Sequence, residues 1–287
     1  MRTFVRYALI AVAVLAVPTA GLAQATRDNN LGMGNPSAAT HSTSNPNNYL
    51  ITKDMYTLSY NKSKATPNWV SWHLSTAWLG SAGRSSSFTA SPYLPSGWPR
   101  VYQSTYTNSG FDRGHVCPSA DRTGSDTENA VTFQGDNIVP QAANNNQGPW
   151  EKLETYCRTL ANGGNEMYVI AGPSGSGGTG VNGFKTSWTG PAFDGGNVTV
   201  KVPSSTWKVI IVLPNGSNDV SRVTTSTRTI AVIMPNDNTQ VSKSDGWGGY
   251  RVSVRTVESL TGYNFFSNVP QSIQDVIESR VDNGPTS

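Results

Sequence analysis

Charge is scarce in this sequence: only 14% of its 287 residues are Asp, Glu, Lys or Arg. That excludes a coiled coil or a long helical repeat, which need far more Ala, Glu, Lys and Leu. Cysteine and histidine are scarcer still, at two and three residues, and two cysteines are too few for a Cys-rich zinc site. No Gly-X-Y period runs through the 28 glycines, so the chain is not collagen-like. The one marked apolar run, residues 8–17, is too short to span a bilayer, which takes about 20 residues. What the chain does have is 8 Trp, 11 Tyr and 8 Phe, ample surface to bury, which sets full disorder aside. Ser, Thr, Asn and Gly fill the place of the missing charge. The length suits one domain around one core once the ends are removed.

Residues 1–23 read as a secretory signal. Arg2 and Arg6 precede the apolar run, and small residues follow at Gly21-Leu22-Ala23. The formal charge of +3 includes those two arginines. Taking them from the 21 basic residues leaves 19 against 18 acidic ones, a net of +1. Overall charge therefore says nothing about nucleic acid, and any basic site must be local. The expected location is secreted or periplasmic, with no membrane anchor once the signal is removed. In an exported protein the even pair Cys117 and Cys157 favours a disulfide, with two free core thiols as the alternative.

Residues 24–48 are polar, rich in Asn, Ser and Thr, and without periodicity, which reads as a flexible leader. From Tyr49 the pattern becomes one of short strands. Tyr56, Leu58 and Tyr60 alternate with polar residues, as do Val70, Trp72 and Leu74. Further strand-like runs are 166–171, 198–202, 208–213 and 229–234. Helix signals are fewer. Ser125-Asp-Thr-Glu128 forms a capping box, residues 150–160 carry helical spacing and stop before Gly163-Gly164, and a last helix follows Pro270. Strands and helices mixed without a βαβ rhythm indicate an α+β fold with a mostly antiparallel central sheet flanked by helices. The domain is expected over 49–282, with 283–287 as a tail. Gly175–Gly180 contains a literal G-x-G-x-x-G, but no helix pattern follows it and no lysine closes it, so it reads as a loop.

Of the histidines, His41 lies in the leader and His73 among tryptophans in a strand, where packing is its expected role. His115 differs. It closes the run Gly110-Phe-Asp112-Arg113-Gly114-His115, which sets an acid, a guanidinium, a glycine and an imidazole side by side. Arginine grips phosphate in a planar, bidentate manner. Glycine lets the backbone turn or approach a ligand closely. An imidazole with an ordinary pKa near ~6.5 can take a proton from water at neutral pH, so activity is expected to rise through that pH. An ordinary turn with an Asp112–Arg113 ion pair fits the same residues. Downstream, Asn144-Asn145-Asn146 leads into a helix. An asparagine there could be a cap, and its carbonyl is also a hard oxygen ligand suited to Mg²⁺. Glu154 and Arg158 stand four apart on that helix, as a surface pair or as a metal and phosphate face.

Taken together, Phe111–His115, Asn137-Ile-Val-Pro-Gln141 and Asn146-Gln-Gly-Pro-Trp-Glu-Lys-Leu-Glu154 resemble the DNA/RNA non-specific endonucleases. This is the Serratia-type sugar-nonspecific nuclease family, and the likeness is closer to its cyanobacterial branch. It extends from Tyr49 to Phe266. The resemblance implies a ββα-metal site with His115 as general base, Asn146 as the one direct ligand to Mg²⁺ and Glu154 holding the ion through water. Mn²⁺ is expected to substitute. It also implies that Arg113 and Arg158 contact phosphate, joined by Arg84 of Arg84-Ser-Ser-Ser-Phe88-Thr-Ala-Ser-Pro92, where Ser91 replaces the family's usual aspartate. Cys117 and Cys157 fit the cyanobacterial branch, in which they would pair. The implied activity is hydrolysis of DNA and RNA without sequence or sugar preference, leaving 5′-phosphate ends. An inhibitor protein is left open. A secreted carbohydrate-binding module, stacking sugars on tryptophan, is the alternative from another class.

Overall fold

The computed structural model describes Met1 and residues 23–287; the signal-like segment falls largely outside the described residues. Thirteen strands and six α-helices are assigned among them. In chain order these are β1 (Tyr49–Thr52), β2 (Thr57–Asn61), β3 (Thr66–Leu74), β4 (Asp112–His115), α1 (Asp126–Val131), β5 (Ile138–Gln141), α2 (Ala143–Asn145), α3 (Glu151–Asn162) and β6 (Asn165–Ser174). There follow β7 (Gly178–Gly180), β8 (Gly183–Lys185), β9 (Ser187–Pro191), β10 (Asn197–Lys201), β11 (Ser205–Pro214), α4 (Asp219–Arg222), β12 (Arg228–Pro235), β13 (Arg251–Val252), α5 (Val254–Thr261) and α6 (Gln271–Ile277).

A seven-stranded sheet in the order β1-β2-β3-β6-β11-β12-β13 runs through the molecule, and every pairing in it is antiparallel. Both faces are covered, which is why its central strands read as nearly continuous apolar runs. Alternation sends Val70, Trp72, Met167, Val169, Ile210, Ile230 and Val232 to one face, where they pack against Val116, Val139, Trp150 and Leu153. Trp69, Tyr168, Ile170, Val209, Ile211 and Ala231 point the other way, toward Val254, Val257, Phe265 and Ile277 of the C-terminal helices and their loops. The first face carries the β4-β5 hairpin and α3; the second is closed by α5 and α6. The α+β expectation holds, and the runs at 166–171, 208–213 and 229–234 fall inside β6, β11 and β12. Half of the capping box forms, with Ser125 Oγ accepting from the Glu128 N–H at 3.2 Å, while the Glu128 carboxylate accepts from Arg27 and does not return to the Ser125 N–H. Gly178–Gly180 pairs with β8 in a small hairpin, and no helix follows it.

The segment 24–48 is not a flexible leader. It straps the second face, burying Met33 and Ala39 in that core. Its many asparagines act as connectors: Asn30 Nδ2 donates to the Asp54 carbonyl at 2.9 Å, and Asn30 Oδ1 accepts the His73 N–H at 3.0 Å. Side-chain amides that bond backbone replace the missing apolar periodicity. The carbohydrate-binding reading also fails on packing, because seven of the eight tryptophans are buried and only Trp188 is partly exposed. No helix among the described residues is long and apolar enough to cross a membrane.

Candidate active site

The hairpin and helix on the first face form a ββα unit. β4 and β5 pair antiparallel with His115 opposite Ile138 and Asp112 opposite Gln141. Gly114 is required there: a Cβ at that position would lie 2.2 Å from Gln141 Oε1. Beyond His115 the chain is fixed by Asn137, whose amide accepts the Cys117 N–H at 2.9 Å and donates to the Cys117 carbonyl at 2.8 Å. From β5 the chain passes through α2 into a π-helical turn, Asn146–Trp150, whose Gly148 leaves helical geometry at φ −127°, ψ −116°. Wide turns of this kind recur at functional sites. Here the turn sets Asn146 at the mouth of the cleft and starts α3 directly beneath it.

Arg84, Arg113, His115, Asn146 and Glu154 line one cleft of about 330 Å³, together with Ser119, Gln147 and Glu151. Five of the six residues singled out from the sequence therefore meet. Arg158 stands off the cleft wall, with Nη1 on Asp121 Oδ1 at 3.0 Å and Nη2 on Thr155 Oγ1 at 2.8 Å. Arg84 reaches the cleft despite Ser91: it donates to Ser119 Oγ at 2.6 Å and lies 4.9 Å over the Phe133 ring. Ser91 bonds Asp136, which also receives the buried Lys53 ammonium at 2.7 Å. Arg113 lies 4.6 Å over Phe88, and its buried Nε has no hydrogen-bond partner.

His115 is held between Phe88 and Phe133, with ring centroids 5.2 and 4.5 Å away. Its Nε2 has no hydrogen-bond partner. Burial, then the positive charges of Arg84 and Arg113, lower its pKa from 6.5 to about 3. The ring is thus neutral throughout the mildly acidic range, and the expected titration near 6.5 does not occur in the free protein.

Asp112, which the sequence offers as a motif carboxylate or as the ion-pair partner of Arg113, is instead turned toward the helix side. One carboxylate oxygen, Oδ2, accepts from Asn146 Nδ2 at 2.8 Å and from Gln147 Nε2 at 2.7 Å. The NH₂ of Asn146 is committed, which leaves its carbonyl oxygen for a cation. Glu154 is the other oxygen donor, pushed up in pKa by burial and drawn back by the Lys208 ammonium at 2.9 Å. An amide oxygen and a carboxylate, with no sulfur beside them, suit a hard, partly hydrated cation such as Mg²⁺.

A second group of possible ligands lies on the opposite face of the sheet, where ligand atoms of Asp28, His73, Glu166 and Asp219 lie within 4.8 Å of one another. It is compact enough for a metal ion, but its hydrogen bonds point elsewhere. Trp78 Nε1–H donates to His73 Nδ1 at 3.1 Å, so Nδ1 is an acceptor and the ring N–H is at Nε2, aimed at Glu166 and Asp28. Arg222 bridges Glu166 and Asp219. The group ties the N-terminal strap to the sheet, and a cation at its centre would face an N–H.

Cys117 and Cys157 are free, buried thiols in place of the expected disulfide. Both belong to the apolar cluster on the first face, and burial pushes each pKa to about 12. With so little thiolate, neither should react with Ellman's reagent in the native protein, whereas both should react after denaturation. Fast labelling of the native protein, or no thiol in the unfolded one, would contradict this.

The ββα unit and its cleft define a nuclease-type site. Residues 33–272 match the sequence profile of the DNA/RNA non-specific endonucleases, and the chain belongs to that family of metal-dependent nucleic-acid hydrolases. It is 46% identical over 251 residues to a nuclease of Nostoc sp., covering 88% of this chain and 85% of that protein. It is 32% identical to nuclease C1 of Cunninghamella echinulata, over 59% of this chain and 67% of that one. The EndoG component of an EndoG/EndoGI inhibition complex shares the fold, with a TM-score of 0.63 at 22% identity, over 84% of this chain and 91% of the other.

Proposed function

We propose that this protein is an exported, Mg²⁺-dependent endonuclease that cleaves DNA and RNA without sequence or sugar preference and leaves 5′-phosphate ends. The observation that carries the reading is one cleft holding an unpartnered neutral imidazole, a free amide oxygen and two arginines. His115 would accept a proton from water as the oxygen attacks phosphorus. The phosphorus–O3′ bond would then break, the departing O3′ taking a proton from solvent water to become the 3′-hydroxyl, and phosphate would stay on the 5′ end of the downstream fragment. Arg84 and Arg113 would pair with the phosphate oxygens, and Arg158 would join them on exchanging Asp121 for phosphate. Asn146 would hold the metal directly and Glu154 through water. A bound, hydrated Mg²⁺ supplies neutralisation of charge on the phosphate and on the departing oxygen, and Mn²⁺ should serve as well. Contacts confined to phosphate carry no sequence information, which accounts for indifference to sequence.

Export rests on the character of residues 1–23. A plasmid-nicking and RNA-degradation assay on culture supernatant and on lysate tests the whole reading. Both substrates should be cut by the exported fraction, with EDTA abolishing activity and Mg²⁺ or Mn²⁺ restoring it. Labelling of the fragment ends should find phosphate at 5′ termini. Activity that survives EDTA, or 3′-phosphate ends, would overturn the proposed chemistry.

A further inference from the structure

Among the described residues, Lys208 is the one charged residue that the middle of the sheet turns toward the site. It pairs with Ala171 of β6 on one side and Val232 of β12 on the other, so apolar strands flank it at the sheet centre. Its side chain is 1% exposed. A buried ammonium is costly unless it is paired. Lys208 Nζ bonds Glu154 Oε1 at 2.9 Å and sits 3.7 Å from the centroid of the Trp150 ring. Trp150 closes the π-helical turn that begins at Asn146. Lys208 therefore touches both the carboxylate at the cleft floor and the turn that presents the amide ligand.

We infer that Lys208 is a positioning residue for the metal shell, fixing the rotamer and charge of Glu154 from beneath while the other carboxylate oxygen is left for the cleft. The inference rests on the proposed reading of Glu154 as a metal-shell residue. Lys208 never meets substrate or metal in this arrangement. It acts only through Glu154, in the way outer partners orient the ligands of other metal sites. Methionine is a near match in length and apolar, so Lys208→Met keeps the packing over Trp150 and removes the charge.

The test is Mn²⁺ affinity, measured by titration calorimetry without substrate, in the wild type, Lys208→Met, Glu154→Gln and the double variant. Near-UV circular dichroism reports whether each is folded. Lys208→Met and Glu154→Gln should each weaken Mn²⁺ binding about 10- to 100-fold. The double variant should bind no more weakly than Glu154→Gln alone, because a residue that works through Glu154 has nothing left to position. Wild-type affinity in Lys208→Met, or losses that multiply in the double variant, would overturn the inference. If Glu154→Gln itself binds Mn²⁺ normally, the reading of Glu154 fails first, and the inference with it. Should Lys208→Met alone not fold, because it leaves a buried carboxylate unpaired, the charge-free double variant still decides. A further loss of more than about threefold relative to Glu154→Gln would refute the role.

Discussion

Replacing His115 with alanine should lower the hydrolysis of both DNA and RNA by ~10²–10⁴-fold, the usual contribution of a general base. The protein should remain folded and still bind DNA, because Arg84 and Arg113 are untouched. A variant that keeps a tenth of the rate would remove His115 from the role. The pH dependence is equally specific. With its pKa lowered to about 3, chiefly by burial and then by the two arginines, His115 is already deprotonated at pH 5. The profile of kcat/KM, which reports the free enzyme, should therefore show no His115 limb between pH 5 and 8. A bound phosphate offsets the arginine charges and stabilises the imidazolium, so the corresponding limb in kcat should lie at higher pH. Stability offers a check that needs no substrate. The unfolded chain binds a proton at His115 below 6.5 and the folded chain only near 3, so stability is lost as pH falls through that window. The alanine variant should consequently withstand acid better than the wild type.

Asn146→Ala should reduce activity by more than the ~10–100-fold typical of losing an outer-shell partner, and it should raise the Mg²⁺ needed for half-maximal rate. Two things go at once: the free carbonyl oxygen, and the amide that Asp112 holds at 2.8 Å. Aspartate should not rescue it. Its second oxygen would take the place of the NH₂ and meet Asp112 Oδ2, a like-charge contact that costs stability and turns the side chain away. Metal titrations of the rate for Asn146→Ala and Asn146→Asp measure both effects. An unchanged metal requirement in the alanine variant would place the ligand elsewhere.

Periodicity made the sheet legible where strands are buried on both faces, as in 208–213, and where a cap marks a helix, as at Ser125. It said nothing of segment 24–48, whose hold on the sheet comes from single residues such as Met33 and from amide–backbone bonds that leave no period. The candidate cleft was legible from Arg113, His115, Asn146 and Glu154, because short motifs fix these residues on adjacent elements. Asp112 was in view without its function, since only geometry shows that Asn146 and Gln147 share its oxygen. Lys208 was invisible: at the head of an apolar run it looks like a strand end. Ser91 proved harmless to Arg84, because its hydroxyl completes the Asp136 network and does not steer the arginine. Compartment logic favours a bond between Cys117 and Cys157, but both lie as free thiols in the apolar cluster on the first face.

The strap across the second face also sets the order in which the molecule can be completed. Asn268 Nδ2 donates to the Gly32 carbonyl across 236 residues of chain, and the Asn264 N–H reaches the Pro36 carbonyl. Gly32 thus waits for a partner synthesised 236 residues later. Until the segment around Phe265 and Phe266 arrives, Met33 and the tryptophans behind it have no lid, and the growing chain carries an open apolar face. Long-range closures of this kind slow folding and expose intermediates to aggregation. Disrupting the chain around Gly32 or around Asn268 would therefore damage the same seam from opposite sides.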